Sequence, residues 1–138
     1  MKSRITLIAI ITVLNTMIGI SQNELLQSGP MVGYSEMLEA AVWVQTKKAA
    51  SVTMKYWDAE KSNKKYTSNI FKTKKDDAFT ALLIADSLTP GNKYFYDIYL
   101  DDEEIILPYE TSFQTQYIWK WRSDPPNFSF VMGSCAYI

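Results

Sequence analysis

Positions 51–57 alternate without a break: Val52, Met54 and Tyr56 fall on one side, Ser51, Thr53 and Lys55 on the other. A period of two residues is the mark of a strand with one buried face. Residues 39–46 carry Ala-Ala-Val-Trp-Val and predict a strand covered on both faces. Its inward side stays open, because Val42, Trp43 and Val44 are all apolar. Residues 29–34 predict a short extended lead-in between turn formers, and 66–73 a weaker strand with Tyr66 and Ile70 facing alike. Residues 79–85 predict another apolar strand. From Tyr94 onward, Tyr94, Tyr96, Ile98 and Leu100 share one face. Ile105 and Leu107 predict an edge segment interrupted by Pro108, which an edge tolerates and a central strand does not. Phe113-Gln114-Thr115 closes the series. The polar stretches 58–65, 74–77 and 101–103 predict turns.

That makes about seven short strands with turn signals roughly every 8–12 residues, the pattern of an antiparallel immunoglobulin-like β-sandwich. One stretch fixes the variety. Leu88, Pro90 and Tyr94 are spaced as Leu-x-Pro-x-x-x-Tyr. Pro90-Gly91 makes a turn, since Pro presets φ and Gly accepts a positive one. Tyr94 can then return its hydroxyl to the backbone upstream, a tyrosine corner. Cys135 is the sole cysteine, so no intrachain disulfide exists. Both features resemble a fibronectin type III-like domain, which needs no disulfide. The fold class expected is all-β.

Composition narrows the function classes. A net charge of −1 offers no basic field, so no nucleic-acid partner is expected. The sequence contains no histidine, which excludes a Ser-His-Asp triad and any His-ligated zinc site within this chain. At the N-terminus, Lys2 and Arg4 precede an apolar run over 5–18, then Gly19 and Ser21 as small residues before a cleavage point. That is the layout of a secretory signal peptide. The alternative is an uncleaved anchor, but the run is shorter than the roughly 20 residues a bilayer requires. The expected organisation is a signal peptide at 1–21, a mature N-terminal segment at 22–28 and a sandwich at 29–116. A linker at 117–127 and a further strand at 128–138 follow. Localisation is then secreted, periplasmic or cell-envelope, with no stable membrane anchor after cleavage.

The linker carries Trp119-Lys120-Trp121-Arg122 and then Pro125-Pro126, which halt regular structure. Its tryptophans either stack on sugars or seal an interdomain contact. Phe128-Ser129-Phe130-Val131-Met132 reads as a buried strand running into Gly133-Ser134-Cys135. A secreted sandwich, a Trp-rich linker, Pro-Pro and Phe-Ser-Phe-Val-Met-Gly-Ser-Cys together resemble the N-terminal part of an alkaline phosphatase D-like (PhoD-like) metallophosphoesterase. The resemblance implies that 128–138 is the first strand of a catalytic domain and that the chain is the N-terminal portion of a longer enzyme acting on phosphate esters. It implies that Cys135 is a metal ligand in the complete protein, whose cofactors would be iron and calcium. Read without the resemblance, Cys135 is a small buried apolar residue. The family's Gly-Asp, Asn-His and Gly-His motifs do not occur in these 138 residues. One cysteine cannot hold a binuclear centre, so no catalytic residue and no cofactor is assigned within this chain, which is expected to be inactive alone. The other class of reading is a non-catalytic secreted module that binds a protein or glycan.

Overall fold

A computed structural model describes residues 24–120 together with 124, 125, 127 and 129. The signal-peptide reading at 1–21 and Cys135 lie outside the described residues.

The described chain forms two antiparallel sheets. The first has the order β1-β2-β6, from β1 (Leu26–Ser35), β2 (Ala40–Thr46) and β6 (Thr80–Ala85). The second is built on β3 (Ser51–Asp58) and β7 (Lys93–Leu100), which pair along their whole length. One edge of β3 is covered by two short pieces, β4 (Tyr66–Thr67) and β5 (Phe71–Lys72). The free edge of β7 is covered by β8 (Glu103–Glu104) and β9 (Ser112–Gln114). Two rows are each split in two, so the nine strands occupy seven rows, and the expected all-β fibronectin type III-like sandwich is what forms.

The core follows from the alternation. Ala40, Val42, Val44, Ala81, Leu83 and Ala85 face inward from the first sheet. Val52, Met54, Tyr56, Tyr94, Tyr96, Ile98 and Leu100 meet them from the second. This settles the inward side of β2, where Val42 and Val44 are fully buried and Trp43 is half-buried on the outer face. Interleaved inner faces of two twisted sheets are the stable solution for strands apolar on one side.

Three local expectations change. Tyr66 and Ile70 do not face alike. Tyr66 packs on the core, while Ile70 is 68% exposed. Register explains it: Thr67 lies opposite Lys55, but Phe71 lies opposite Val52, so one extra residue is inserted between the two pieces. A one-residue bulge flips the alternation beyond it. Buried Ser68 fills the break, its Oγ accepting the Met54 N–H at 3.0 Å while its own N–H donates to the Met54 carbonyl. Second, β6 starts at Thr80 rather than Phe79, because Ala78 and Phe79 are both left-handed (φ 51° and 56°) and reverse the chain after a short 3-10 turn, Lys75–Asp77. Third, the lead-in is a full edge strand, β1, whose register shifts at three places. At Gly29 (φ +90°) a Cβ would meet the Trp43 carbonyl at 2.8 Å, so only glycine fits that approach.

The β7–β8 turn is a two-residue hairpin with Asp101 and Asp102 both at positive φ (50° and 69°). That geometry matches the right-handed twist of the strands. Asp101 adds a fastening, its Oδ1 accepting the Ser51 N–H at 2.8 Å. β1 begins beside the end of β2 and finishes beside β9, where the Ser35 hydroxyl donates to the Gln114 carbonyl at 2.8 Å. The chain therefore enters the sandwich at one pole and leaves at the other.

Candidate functional site

The exit pole is assembled from the tyrosine corner outward. Tyr94 is 3% exposed, stacks on Phe113 at 5.5 Å between centroids, and accepts the Thr89 N–H on its hydroxyl at 2.9 Å. The hydroxyl thus returns to the backbone five residues upstream, as the Leu-x-Pro-x-x-x-Tyr spacing implies. A second tyrosine does similar work at the same pole. Tyr56 donates to the Asp86 carbonyl at 3.1 Å and accepts the Asp86 N–H at 3.2 Å. Together the two hold both ends of the 86–89 loop.

The departing chain is fastened to that loop. Thr115 donates through its hydroxyl to the Thr89 carbonyl at 2.7 Å, and its Oγ1 accepts the Asn92 N–H at 3.0 Å. The Gly91 N–H donates to the Gln116 carbonyl, and the Gln116 N–H to the Glu36 carbonyl. The Tyr117 ring lies so close over Gly91 (φ +79°) that a Cβ there would sit 2.7 Å from it. The Leu88 N–H donates to the Leu38 carbonyl, so the β1–β2 loop joins the same cluster.

Around this fastened exit the surface is apolar. Met37 and Leu38 are 43% and 60% exposed, and Tyr117, Ile118 and Trp119 are each more than half exposed. Pro125, Asn127 and Ser129 come back to line a cleft of about 780 Å³ with Gln114, Tyr117 and Trp119. Sequence reasoning singled out Trp119 and missed Met37 and Leu38. The signal was present: two apolar residues sit in a four-residue loop otherwise made of Glu36 and Glu39.

Two other surfaces carry unusual chemistry. On the outer face of β3 and β7, Trp57 and Phe95 are cross-strand partners with centroids 6.3 Å apart. Each of three half-buried rings is covered by a lysine: Lys65 over Trp57, Lys93 over Phe95 and Lys55 over Tyr99. The lysines are answered in turn, Lys65 by Asp97 at 3.7 Å and Lys93 by Glu110 at 3.4 Å. Asp97 is held above the usual carboxylate range by burial first and by the Glu104 charge second, which outweigh Lys65. Tyr99 is pushed up to about 12 by burial and by its hydrogen bond to Glu104. Buried Tyr96 reaches about 12 through desolvation, so neither phenol ionises near neutral pH. The face is internally paired, and it borders a cleft of about 300 Å³ under the 105–111 loop. On the first sheet, Met31, Trp43 and Leu82 form one cross-strand row on the outer face, with Met31 and Leu82 exposed.

Among the described residues, no group of three or more His, Cys, Asp or Glu is placed to hold a metal. No helix among them is long and apolar enough to cross a membrane.

Strand order, core and corner define a fibronectin type III-like module. Residues 23–118 match the family described as "Domain of unknown function (DUF7800)", and the chain belongs to that family. Among curated proteins, none matches the sequence. Several solved structures are similar to this chain. The sensor domain of the anti-sigma factor RsgI4 from Pseudobacteroides cellulosolvens is 14% identical, with a TM-score of 0.50 over 79% of this chain and 89% of that one. PhoD is 18% identical, with a TM-score of 0.50 over 61% of this chain and 18% of the PhoD chain. A fibronectin type III domain from the human KIAA0970 protein is 10% identical over 88% of this chain and 94% of that one, with a TM-score of 0.47.

Proposed function

We propose that the chain is the N-terminal portion of a secreted, metal-dependent phosphoesterase of the alkaline phosphatase D type, in which the sandwich is a non-catalytic module. The observation that carries this reading is a conjunction within one chain. A fibronectin type III-like sandwich of the kind also found within PhoD is followed at once by the Trp-rich linker and by Phe128 to Cys135. In this reading, 128–138 begins the catalytic domain, and that domain is the sandwich's partner. The substrate is a phosphate ester. Lys2, Arg4 and the apolar run behind them direct export.

The implied iron and calcium find no ligand set among the described residues, so no catalytic step is assigned to the sandwich. Cys135 is the residue this chain would contribute, since thiolate ligation suits iron. Sequencing the coding locus beyond Ile138 tests the reading. An in-frame continuation bearing Gly-Asp, Asn-His and Gly-His motifs supports it. A stop codon in an intact gene overturns it.

A second reading, a module that binds a protein or glycan, is favoured by the aromatic face of Trp57, Phe95 and Tyr99. Binding of an oligosaccharide panel that is lost in a Trp57→Ala variant would support it.

A further inference from the structure

We infer that the exit pole is an intramolecular docking surface, and that its occupant is the polypeptide downstream of Lys120. Met37 and Leu38 project from a loop whose neighbours are Glu36 and Glu39. The loop's hydrogen bonds to the 88 and 116 segments run through the Glu36 and Leu38 carbonyls, so they do not depend on the apolar side chains of Met37 and Leu38. Exposed apolar side chains gathered at one site mark a contact surface.

Position selects the occupant. Thr115 to Tyr117 are fastened within this patch, so the chain leaves from its midst. The chain already turns back on itself: Pro125, Asn127 and Ser129 line the same cleft as Gln114 and Tyr117. The residues beyond are apolar, with Phe128, Phe130, Val131 and Met132 among them. A tethered segment meets the patch at a high effective concentration that a second copy or a free partner does not reach.

The inference holds whether or not the downstream residues belong to a phosphoesterase, so the two readings fail separately. Limited trypsinolysis of the full 138-residue chain tests it, with cleavage after Lys120 and Arg122 followed by mass spectrometry and domain unfolding measured in parallel. Leu38→Asp should speed cleavage at these two sites about five-fold or more while the sandwich stays folded, its unfolding midpoint falling only by the few degrees that this loss of docking implies. Leu38→Ser should do the same to a lesser degree, which keeps the test valid if the aspartate variant does not fold. Ile70→Asp, on an exposed residue of another loop, should change neither quantity. Cleavage rates equal in wild type and both Leu38 variants would overturn the docking surface, as would equal acceleration by Ile70→Asp.

Discussion

Removing one oxygen atom tests the corner that fixes this fold. Tyr94→Phe keeps the ring, its stacking on Phe113 at 5.5 Å and its burial, and deletes only the acceptor of the Thr89 N–H at 2.9 Å. A net protein hydrogen bond contributes about 0.5–1.5 kcal/mol, and leaving a part-buried donor unpaired pushes the cost towards about 1–3 kcal/mol. We expect about 1.5 kcal/mol, which for a domain of this size lowers Tm by about 6–12 °C. Tyr94→Ala removes the ring as well and should cost about 3–5 kcal/mol, in line with other large buried truncations. The assay is urea unfolding followed by tryptophan fluorescence, with an unchanged m-value required so that the shift reports stability alone. A Tyr94→Phe variant within about 0.3 kcal/mol of wild type, below the usual net value of one hydrogen bond, would refute the assignment of the hydroxyl as an anchor. Tyr56→Phe serves as a companion, because that hydroxyl makes two bonds to the Asp86 backbone and should cost at least as much.

Gly91→Ala should destabilise by about 1–2 kcal/mol through its positive φ alone. It should also displace the Tyr117 ring, which a change in near-ultraviolet circular dichroism would reveal. Acid stability should depend on two aspartates with opposite signs. Asp58 is held below the usual carboxylate range, first by the Glu60 N–H and then by the Asn92 amide. Its stabilisation is therefore complete above the unfolded value of about 3.9 and is lost as pH falls through the lower folded value, and Asp58→Asn should flatten that acid limb of a Tm-against-pH curve. Asp97, held above the range by burial, stabilises the fold only when protonated, a contribution lost as pH rises through its folded value. Asp97→Asn should therefore leave Tm at pH 7 unchanged or raised; a clear loss would show that its pairing with Lys65 outweighs burial. Finally, the 138-residue chain supplied with iron and calcium should not hydrolyse p-nitrophenyl phosphate or its diester. Metal-dependent turnover would disprove the non-catalytic role of the sandwich.

How much of this could be read from the sequence depends on the range of each determinant. The faces of β3 and β7 were legible because burial on one side writes itself into every second residue, from Val52 to Tyr56 and from Tyr94 to Leu100. The corner was legible because its parts lie within seven residues. The bulge after Thr67 was not, since a register slip exists only relative to a partner strand, here β3. For the same reason β2 concealed its inward side: an apolar residue on the outer face, Trp43, looks like one on the inner. The candidate site was half legible. Trp119 stood out by composition, but Met37 and Leu38 gain meaning only when the β1–β2 loop is brought beside the departing chain. The cover of Trp57 was invisible for a similar reason, as Lys65 reaches it only once the chain before β4 returns beside β3.

Entry at one pole and departure at the other set residues 24 and 120 apart by the length of the sandwich. β1 alone has ten residues, so its two ends stand about 30 Å apart. A load applied between residues 24 and 120 would run parallel to the strands. It would have to shear the β1–β2 ladder and the β7–β9 pairing at once, and could not peel hydrogen bonds away one by one. The contact between Ser35 and Gln114 lies where the first and last strands meet, and it would be among the earliest to feel the pull.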